Sequence, residues 1–292
     1  MTNRSHRGTI YPEQAEILSH QACAGEQYIL RVQAPNCAAN ALPGSFAHIQ
    51  VAASQPLRRP ISIMRTSTQE GWVEFLYKAV GAGTRLLALR KPGEALDMLG
   101  PIGTPFSFNR KRSLPLLIGG GVGMPPMIFA AQILRLDDQF KPFAILGSEV
   151  PFPFIPRPSR ILTPEMPAGV IACMPLLDDW GVPSRLTSKR DFAGCYQGLV
   201  TDLARHWLNS LDREQLSQVE IFACGPHPML AAVSTLAFEF DLPCQISLEE
   251  FMACGVGGCA GCVVPVLAGE AEQVMKRVCV DGPVFDARQI FF

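Results

Sequence analysis

The sequence predicts a multi-domain protein: an antiparallel β-barrel, then a doubly wound α/β domain with a parallel sheet, then a small cysteine-bearing subdomain. Three observations predict this order. Short strands separated by turns fill residues 8–108, buried apolar strands alternate with helical stretches after Arg112, and four cysteines crowd residues 247–285. Many short strands are typical of a barrel, and strand–helix alternation is typical of a parallel sheet. We expect the domains to span residues 1–109, 110–246 and 247–292.

The bulk composition supports a globular chain with more than one core. A length of 292 residues exceeds the usual size of one domain, and 48% of the residues are hydrophobic. The formal net charge of -1 provides no field that would attract nucleic acid or an anionic membrane, so neither partner is expected. The first residues contain no apolar stretch typical of a secretory signal, and we therefore expect the cytoplasm.

The barrel prediction rests on three apolar or alternating runs, Gln27–Gln33, Ser45–Val51 and Trp72–Val80, which are punctuated by Pro and Gly turns. This region also contains Arg59-Pro60-Ile61-Ser62 and the pair Gly83-Thr84. The Arg59 guanidinium could bind a phosphate, with a hydroxyl held nearby by the rigid proline step. The alternative is an ordinary strand-end arginine in a solvated ion pair.

The α/β prediction rests on buried strands followed by helical patterns. The expected strands are Leu114–Gly120, Pro142–Gly147, Val170–Pro175, Val219–Gly225 and, as the last one, Pro243–Leu248. The expected helices are Met127–Leu136, Thr201–Leu216 and Ala231–Phe240. Between Glu149 and Gln197 eight prolines suggest surface excursions from the sheet.

Two loops follow predicted strands at the same edge of the sheet, where ligands of such folds bind. The first is Gly121-Val122-Gly123-Met124-Pro125-Pro126, a G-x-G-x-x-P pattern whose glycines let a backbone approach a pyrophosphate at a helix N-terminus. The second begins Cys224-Gly225-Pro226. A glycine turn often serves shape alone, but the two loops together predict a dinucleotide crevice.

Cys254, Cys259, Cys262 and Cys279 follow a C-x4-C-x2-C pattern with a distant fourth cysteine, the plant-type ferredoxin spacing for a [2Fe-2S] cluster. A loop that wraps such a core needs residues that tolerate positive φ. The glycines expected to supply them are Gly255, Gly257, Gly258 and Gly261.

Three other interpretations of the cysteines compete. A structural zinc site usually takes two separated ligand pairs, whereas three thiols here share one loop. Disulfides need an oxidising compartment. Ordinary packing suits the cysteines that stand alone among apolar or turn residues, namely Cys23, Cys37, Cys173, Cys195 and Cys244.

The motif order resembles that of the ferredoxin-NADP reductase superfamily, which pairs an FAD-binding barrel with a pyridine-nucleotide domain. The terminal motifs SLEE-x-MACGVGGCAGCVVPV and C-x-D-G-P-V-F closely resemble one branch, the electron transfer subunits of type B dihydroorotate dehydrogenase. This resemblance implies FAD contacts from Arg59, Pro60, Ile61, Ser62, Tyr77, Lys78, Gly83 and Thr84. It further implies NADH contacts from Gly121, Gly123, Cys224, Gly225 and Pro226, and iron ligation by Cys254, Cys259, Cys262 and Cys279.

The implied function is electron transfer from NADH through FAD and the cluster, or in reverse. NADH releases two electrons together and a cluster accepts one at a time, and a flavin can do both. The chain has no room for a further barrel of about 250 residues, so orotate chemistry would lie on a partner, an FMN-containing dihydroorotate dehydrogenase subunit of pyrimidine biosynthesis. Two alternatives are a related reductase subunit serving ferredoxin, hydrogenase or a sulfur compound, and a redox-sensing protein that binds nucleotide without turnover.

Several side chains carry weaker expectations. His227 and Glu149 could contact the nucleotide, Glu149 through a ribose hydroxyl, although an exposed loop carboxylate is equally compatible. Cys224 could lie beside the nicotinamide or simply pack. We expect the other histidines to be surface or satisfied core groups, namely His6, His20, His48 and His206. Phe251 departs from the family pattern, in which a polar or basic residue is common there. No acid–base triad is expected.

Overall fold

A computed structural model describes residues 8–269 and 272–292; the prediction for His6 falls outside them. Six antiparallel strands close into a barrel in the order β1-β2-β5-β4-β3-β6. Their bounds are Tyr11–Cys23 (β1), Gln27–Gln33 (β2), Phe46–Gln50 (β3), Arg59–Ser67 (β4), Trp72–Lys78 (β5) and Ala95–Ile102 (β6). Two short helices, Pro35–Asn40 (α1) and Ala82–Leu87 (α2), complete this region. The barrel prediction is confirmed.

The second region is a seven-stranded sheet, in the order β12-β11-β8-β7-β13-β14-β17, parallel except for its last strand. Its strands are Leu114–Gly120 (β7), Phe143–Gly147 (β8), Ser184–Ser188 (β11), Tyr196–Gln197 (β12), Val219–Cys224 (β13), Cys244–Ser247 (β14) and Val284–Asp286 (β17). The helices of this region are Met124–Leu134 (α3), Pro175–Asp179 (α4), Val200–Asn209 (α5), Arg213–Ser217 (α6) and His227–Glu239 (α7). The parallel-sheet prediction is confirmed.

Two element predictions were wrong in detail. The run Val170–Pro175 does not enter the parallel sheet, since only Ala172–Cys173 (β10) is a strand and it pairs with Arg157–Pro158 (β9). Ser184–Ser188 takes that place instead, fully buried although its residues are mostly polar. The expected helix Thr201–Leu216 is two helices, because Asp212 caps a new one by accepting a hydrogen bond from the Gln215 N–H.

The cysteine-bearing segment is built around a hairpin of Val263–Ala268 (β15) and Glu272–Arg277 (β16). Beyond it β17 returns and pairs antiparallel with β14 at the edge of the large sheet. β14 is therefore not the last strand, and the segment 247–292 shares a sheet with the nucleotide domain. The division at residue 246 stays a prediction.

Helix α3 joins the barrel to the sheet. Its Phe129 packs in the barrel core, while Met127 and Ile128 pack with side chains of the sheet. At its C-terminal end the Gln132 amide donates to the Thr66 carbonyl at 2.7 Å and accepts from the Thr66 N–H at 3.3 Å. A helix buried on several sides explains why its sequence is apolar all round.

The proline-rich segment is less of a surface excursion than expected. Phe152 is buried and packs against Phe154 and Phe192. The Gln27 amide of the barrel donates to the Pro151 carbonyl at 2.8 Å, which ties the segment to both domains. Among the helices within residues 8–269 and 272–292, none is long and apolar enough to cross a membrane.

We predict that Gln132→Ala lowers the free energy of unfolding by about 1–3 kcal/mol, because both Thr66 backbone groups lose a partner where the domains meet. Urea denaturation measures the change. Gln21→Ala, at an exposed position of β1, is the matched control. Equal stability of the two variants would contradict the assigned role of Gln132.

Candidate electron-transfer site

The cysteine loop, residues 253–262, lies against the outer face of the barrel. Ala47 and Ile49 of β3 point into the barrel core, whereas Phe46 packs outward in the same core as Cys262 and Cys279. The linker after β6 holds the segment around Cys279, since the Thr104 hydroxyl donates to the Val280 carbonyl at 3.3 Å. The loop is therefore held on the strand next to β4.

The four cysteines form two contacting pairs. The Cys254 thiol makes a hydrogen-bonding contact with Cys259, and the Cys279 thiol makes one with Cys262. Cys262 and Cys279 are buried, Cys254 is half-buried and Cys259 is exposed. No group of three or more His, Cys, Asp or Glu side chains in the described chain is arranged around one metal ion. Two thiol pairs are the donor set that two bridged irons need, so the residues fit a [2Fe-2S] cluster.

The backbone around Cys254 favours the thiolate, the form that binds metal. Burial would raise the pKa of Cys254, but hydrogen bonds from the Val256 N–H and from Cys259, with a further one from Gly258, lower it to about 7. The pKa of Cys279 is raised to about 12 by burial and then by the neighbouring Cys262. The two pairs thus differ in environment: one faces solvent and the other faces the core.

The prediction of positive φ at the four glycines of the loop is only partly confirmed. Gly255 and Gly257 have positive φ, +67° and +82°. Gly258 and Gly261 do not, and the prediction for them was wrong; Ala260 adopts the left-handed conformation instead, at +52°. The Gly261 N–H donates to the Cys259 sulfur at 3.4 Å, so that position serves as a donor.

His48 of β3 is the functional candidate that sequence reasoning missed. A Cβ atom at Gly255 would lie 2.6 Å from its Nδ1, so the ring touches the cysteine loop. Burial first, and then the charge of Arg58, lower the pKa of His48 to about 4. Its ring nitrogens are buried without a hydrogen bond of normal geometry, so the expectation of a satisfied core histidine was wrong. Phe46 and His48 are two residues apart in one strand, so both lie on its outward face. This alternation was the signal from which the sequence could have placed His48 on the side of the cysteine loop.

The predicted flavin residues lie together in part. Arg59 packs its guanidinium directly on Gly83, where any Cβ would collide with it, so the two predicted phosphate contacts are adjacent. Thr84 follows in α2, and its hydroxyl accepts from the Gly81 N–H at 3.1 Å. This cradle of an arginine over a glycine fits a flavin pyrophosphate.

The remaining predicted flavin residues differ in what they expose. Ile61 points into the barrel core, so its backbone is the part left for a cofactor, whereas Ser62 and Lys78 are half-buried. Tyr77 is buried, stacks on Tyr28 and has its hydroxyl 2.8 Å from His20 Nε2. Burial, then the neighbouring Tyr28, raise the pKa of Tyr77. The flavin contacts of these residues stay predictions.

The two predicted nucleotide loops meet. They follow β7 and β13, which are neighbours in the sheet, and a Cβ at Gly123 would collide with the Cys224 carbonyl. Gly121 has φ +56° and open space beside it, which leaves room for a phosphate at the start of α3. The loops therefore fit a dinucleotide.

The weaker nucleotide candidates have other contacts. The Cys224 thiol packs in the core, where burial, then the charge of Glu249, raise its pKa. His227 is exposed and its ring lies 5.4 Å from that of Phe292. The exposed Glu149 carboxylate is 3.7 Å from Lys189 Nζ.

Comparison with known proteins gives consistent matches. Residues 249–291 match the family model described as the iron-sulfur cluster binding domain of dihydroorotate dehydrogenase B. The dihydroorotate dehydrogenase B (NAD(+)) electron transfer subunit of Desulforamulus reducens is 30% identical over 94% of this chain and 97% of its own length. The subunit of that name from Bacillus caldolyticus is 35% identical over 85% of this chain and 86% of its own length.

Solved structures show the same fold. An NADH-dependent reduced ferredoxin-NADP oxidoreductase, described in work on flavin-based electron bifurcation, superposes with a TM-score of 0.75 at 25% identity, covering 96% of this chain and 90% of its own. Phthalate dioxygenase reductase superposes with a TM-score of 0.56 at 13% identity, covering 89% and 88%. The second likeness concerns the fold alone.

We predict that Gly255→Ala lowers the iron and acid-labile sulfide bound per chain, because the new methyl group meets His48 and a left-handed φ costs a non-glycine residue about 1 kcal/mol or more. Gly258→Ala, in the same loop but with open space and no positive φ, should keep the wild-type content. Metal and sulfide analysis of both variants measures the effect. Equal loading would contradict the geometry described for Gly255.

Proposed function

This chain belongs to the family of dihydroorotate dehydrogenase B electron transfer subunits, and we propose specific ligands, a docking face and a partner for it. It is an oxidoreductase subunit that uses FAD, an iron-sulfur cluster and NAD(H). When bound, these groups supply hydride acceptance and its conversion to single-electron transfer. The chain's own residues hold them, orient them and limit access of water.

The observation that carries the proposal is the pairing of the four thiols on the outer face of the barrel. Cys254 with Cys259 would hold one iron, and Cys262 with Cys279 the other. The second pair is buried, so its half of the loop is fixed by core packing. The first pair faces solvent, which leaves a short exit route toward a partner.

The flavin would lie along β4. Arg59 over Gly83 would bind its pyrophosphate, Thr84 would add a contact, and Pro60 with the backbone of Ile61 and the hydroxyl of Ser62 would border the ring system. Tyr77 and Lys78 of β5 would border its other side. Since β4 pairs with β3, and the cysteine loop rests on β3, flavin and cluster would occupy neighbouring strands.

The nicotinamide nucleotide would bind where the two loops meet. Gly121 and Gly123 would admit the pyrophosphate to the N-terminus of α3, and the loop of Cys224, Gly225 and Pro226 would flank the nicotinamide. Because α3 packs against both the sheet and the barrel, the crevice is held in a fixed position relative to β4.

The partner would be an FMN-containing catalytic dihydroorotate dehydrogenase subunit in a hetero-oligomer of pyrimidine biosynthesis. Its docking face would include the exposed side of the cysteine loop, because electrons leave there. Phe251 is 94% exposed three residues before Cys254, and Val256, Val263 and Met275 are also exposed. The first three of these side chains lie within or next to the cysteine loop in sequence, and the fourth lies on the hairpin that follows it. Exposed apolar patches mark protein–protein interaction sites. Free thiols and an iron-sulfur cluster make the cytoplasm the proposed location.

We predict that Cys259→Ala abolishes the EPR signal of the NADH-reduced cluster while NADH still bleaches the flavin. Cys259 is exposed, so its loss should disturb little packing. Cys195→Ala, at a half-buried thiol outside the loop, is the control and should keep both signals. A retained cluster signal in Cys259→Ala would overturn the proposed ligation by Cys259. Loss of both the cluster signal and the flavin bleaching would show that the flavin site depends on the cluster site.

We predict that Phe251→Glu raises the Kd for the catalytic subunit by about tenfold or more, as expected when an anchor residue of an interface is replaced by a charge. Phe238→Glu, at an 80% exposed position on α7, should change the Kd little. Calorimetric titration with the catalytic subunit measures both. Equal Kd values for the two variants would place the docking face elsewhere.

A further inference from the structure

His48 stands between the proposed flavin strand and the cysteine loop. In the β3–β4 ladder it is directly opposite Pro60, within the Arg59–Ser62 motif. On its other side the ring touches Gly255, which follows Cys254. The side chain is fully buried, with 0% exposure. His48 therefore links the two regions, its backbone through the β3–β4 ladder and its ring through Gly255.

The ring carries two buried nitrogens without a satisfactory hydrogen bond. The backbone groups of Cys254 and Arg58 lie close enough to act on the ring, and both favour a ring N–H, as carbonyl oxygens do. The Nδ1 edge is the one that faces Gly255, so Cys254 is the partner on that side. A neutral imidazole carries one N–H, and a small shift of the loop would convert its contact with Cys254 into a hydrogen bond.

Packing alone does not explain a histidine at this position. Phe46, on the same face of β3, is buried in the same core as Cys262 and Cys279. Leu99, which pairs with His48 across the β3–β6 ladder, packs against that core. An unpaired polar group buried there costs about 1–3 kcal/mol, whereas an apolar side chain of similar size costs nothing of the kind. The imidazole therefore has a use that a leucine would not serve.

We propose that His48 is a positioning residue for the cluster loop. Its Nδ1–H donates to the Cys254 carbonyl, and its backbone is paired with Pro60 of the proposed flavin strand. The ring thereby fixes the first cysteine at a set distance from that strand. This inference rests on the proposed ligation by Cys254 and goes beyond it, because it concerns a residue that neither ligates iron nor matches any motif of the chain.

The test compares three variants of His48 in the full-length protein with FAD and cluster loaded. His48→Asn keeps a donor at the Nδ1 position, His48→Gln moves it to the Nε2 position, and His48→Leu removes both. His206→Leu, at an exposed histidine on α5, is the control. The readouts are hydrogen–deuterium exchange of residues 252–258 and the EPR g-values and linewidth of the reduced cluster at equal iron content.

We expect hydrogen–deuterium exchange of residues 252–258 to be roughly five- to tenfold faster in His48→Leu and His48→Gln, because loss of one hydrogen bond changes an opening equilibrium by about that factor. The EPR signal of both variants should also differ from that of the wild type. His48→Asn and His206→Leu should match the wild type. If His48→Leu fails to fold, the comparison of Asn with Gln still decides, since equal behaviour of those two would overturn the proposal.

Wild-type exchange and EPR in His48→Leu would also overturn it and leave His48 a packing residue. Failure of the ligation proposal has a different signature: the wild-type protein itself would show no reduced-cluster signal. In that case, faster exchange in His48→Leu but not in His48→Asn would still establish the contact between His48 and Cys254. Unchanged exchange in His48→Leu would rule that contact out.

Discussion

The packing of the cysteine loop on the outer face of β3 is the contact on which the rest of the site depends. β3 buries both of its faces, Ala47 and Ile49 in the barrel core and Phe46 in the core that holds Cys262 and Cys279. Because protein cores are closely packed, the side chains and loops that pack on either face of such a strand have little freedom to move. The loop packs on β3, and β4 is its neighbour, so one strand separates the loop from the strand proposed to bind the flavin.

Helix α3 imposes the corresponding constraint on the nucleotide side. It packs on the sheet and on the barrel, and Gln132 closes its end against Thr66 of β4. The crevice formed by Gly123 and the Cys224 loop therefore has a fixed relation to β4. The barrel, the sheet and the cysteine loop therefore meet at β3 and β4.

The sequence predicted the parts of the fold that local patterns encode. Gln27–Gln33 is a strand with the expected bounds, and the cysteine spacing located the loop. Ser184–Ser188 was missed because a mostly polar strand is buried only where neighbouring strands satisfy it, which no local pattern shows. Ala260 in place of Gly258 in the left-handed region, and His48 against Gly255, likewise depend on contacts between distant segments.

We propose that the four thiols hold two bridged irons that NADH reduces through the flavin. The most direct measurement is EPR spectroscopy of anaerobically prepared wild-type protein before and after NADH, with metal and sulfide analysis of the same sample. We expect two irons and two sulfides per chain, a bleached flavin band and the signal of a reduced [2Fe-2S] cluster. Zinc in place of iron, or no such signal after anaerobic reconstitution, would contradict this ligation.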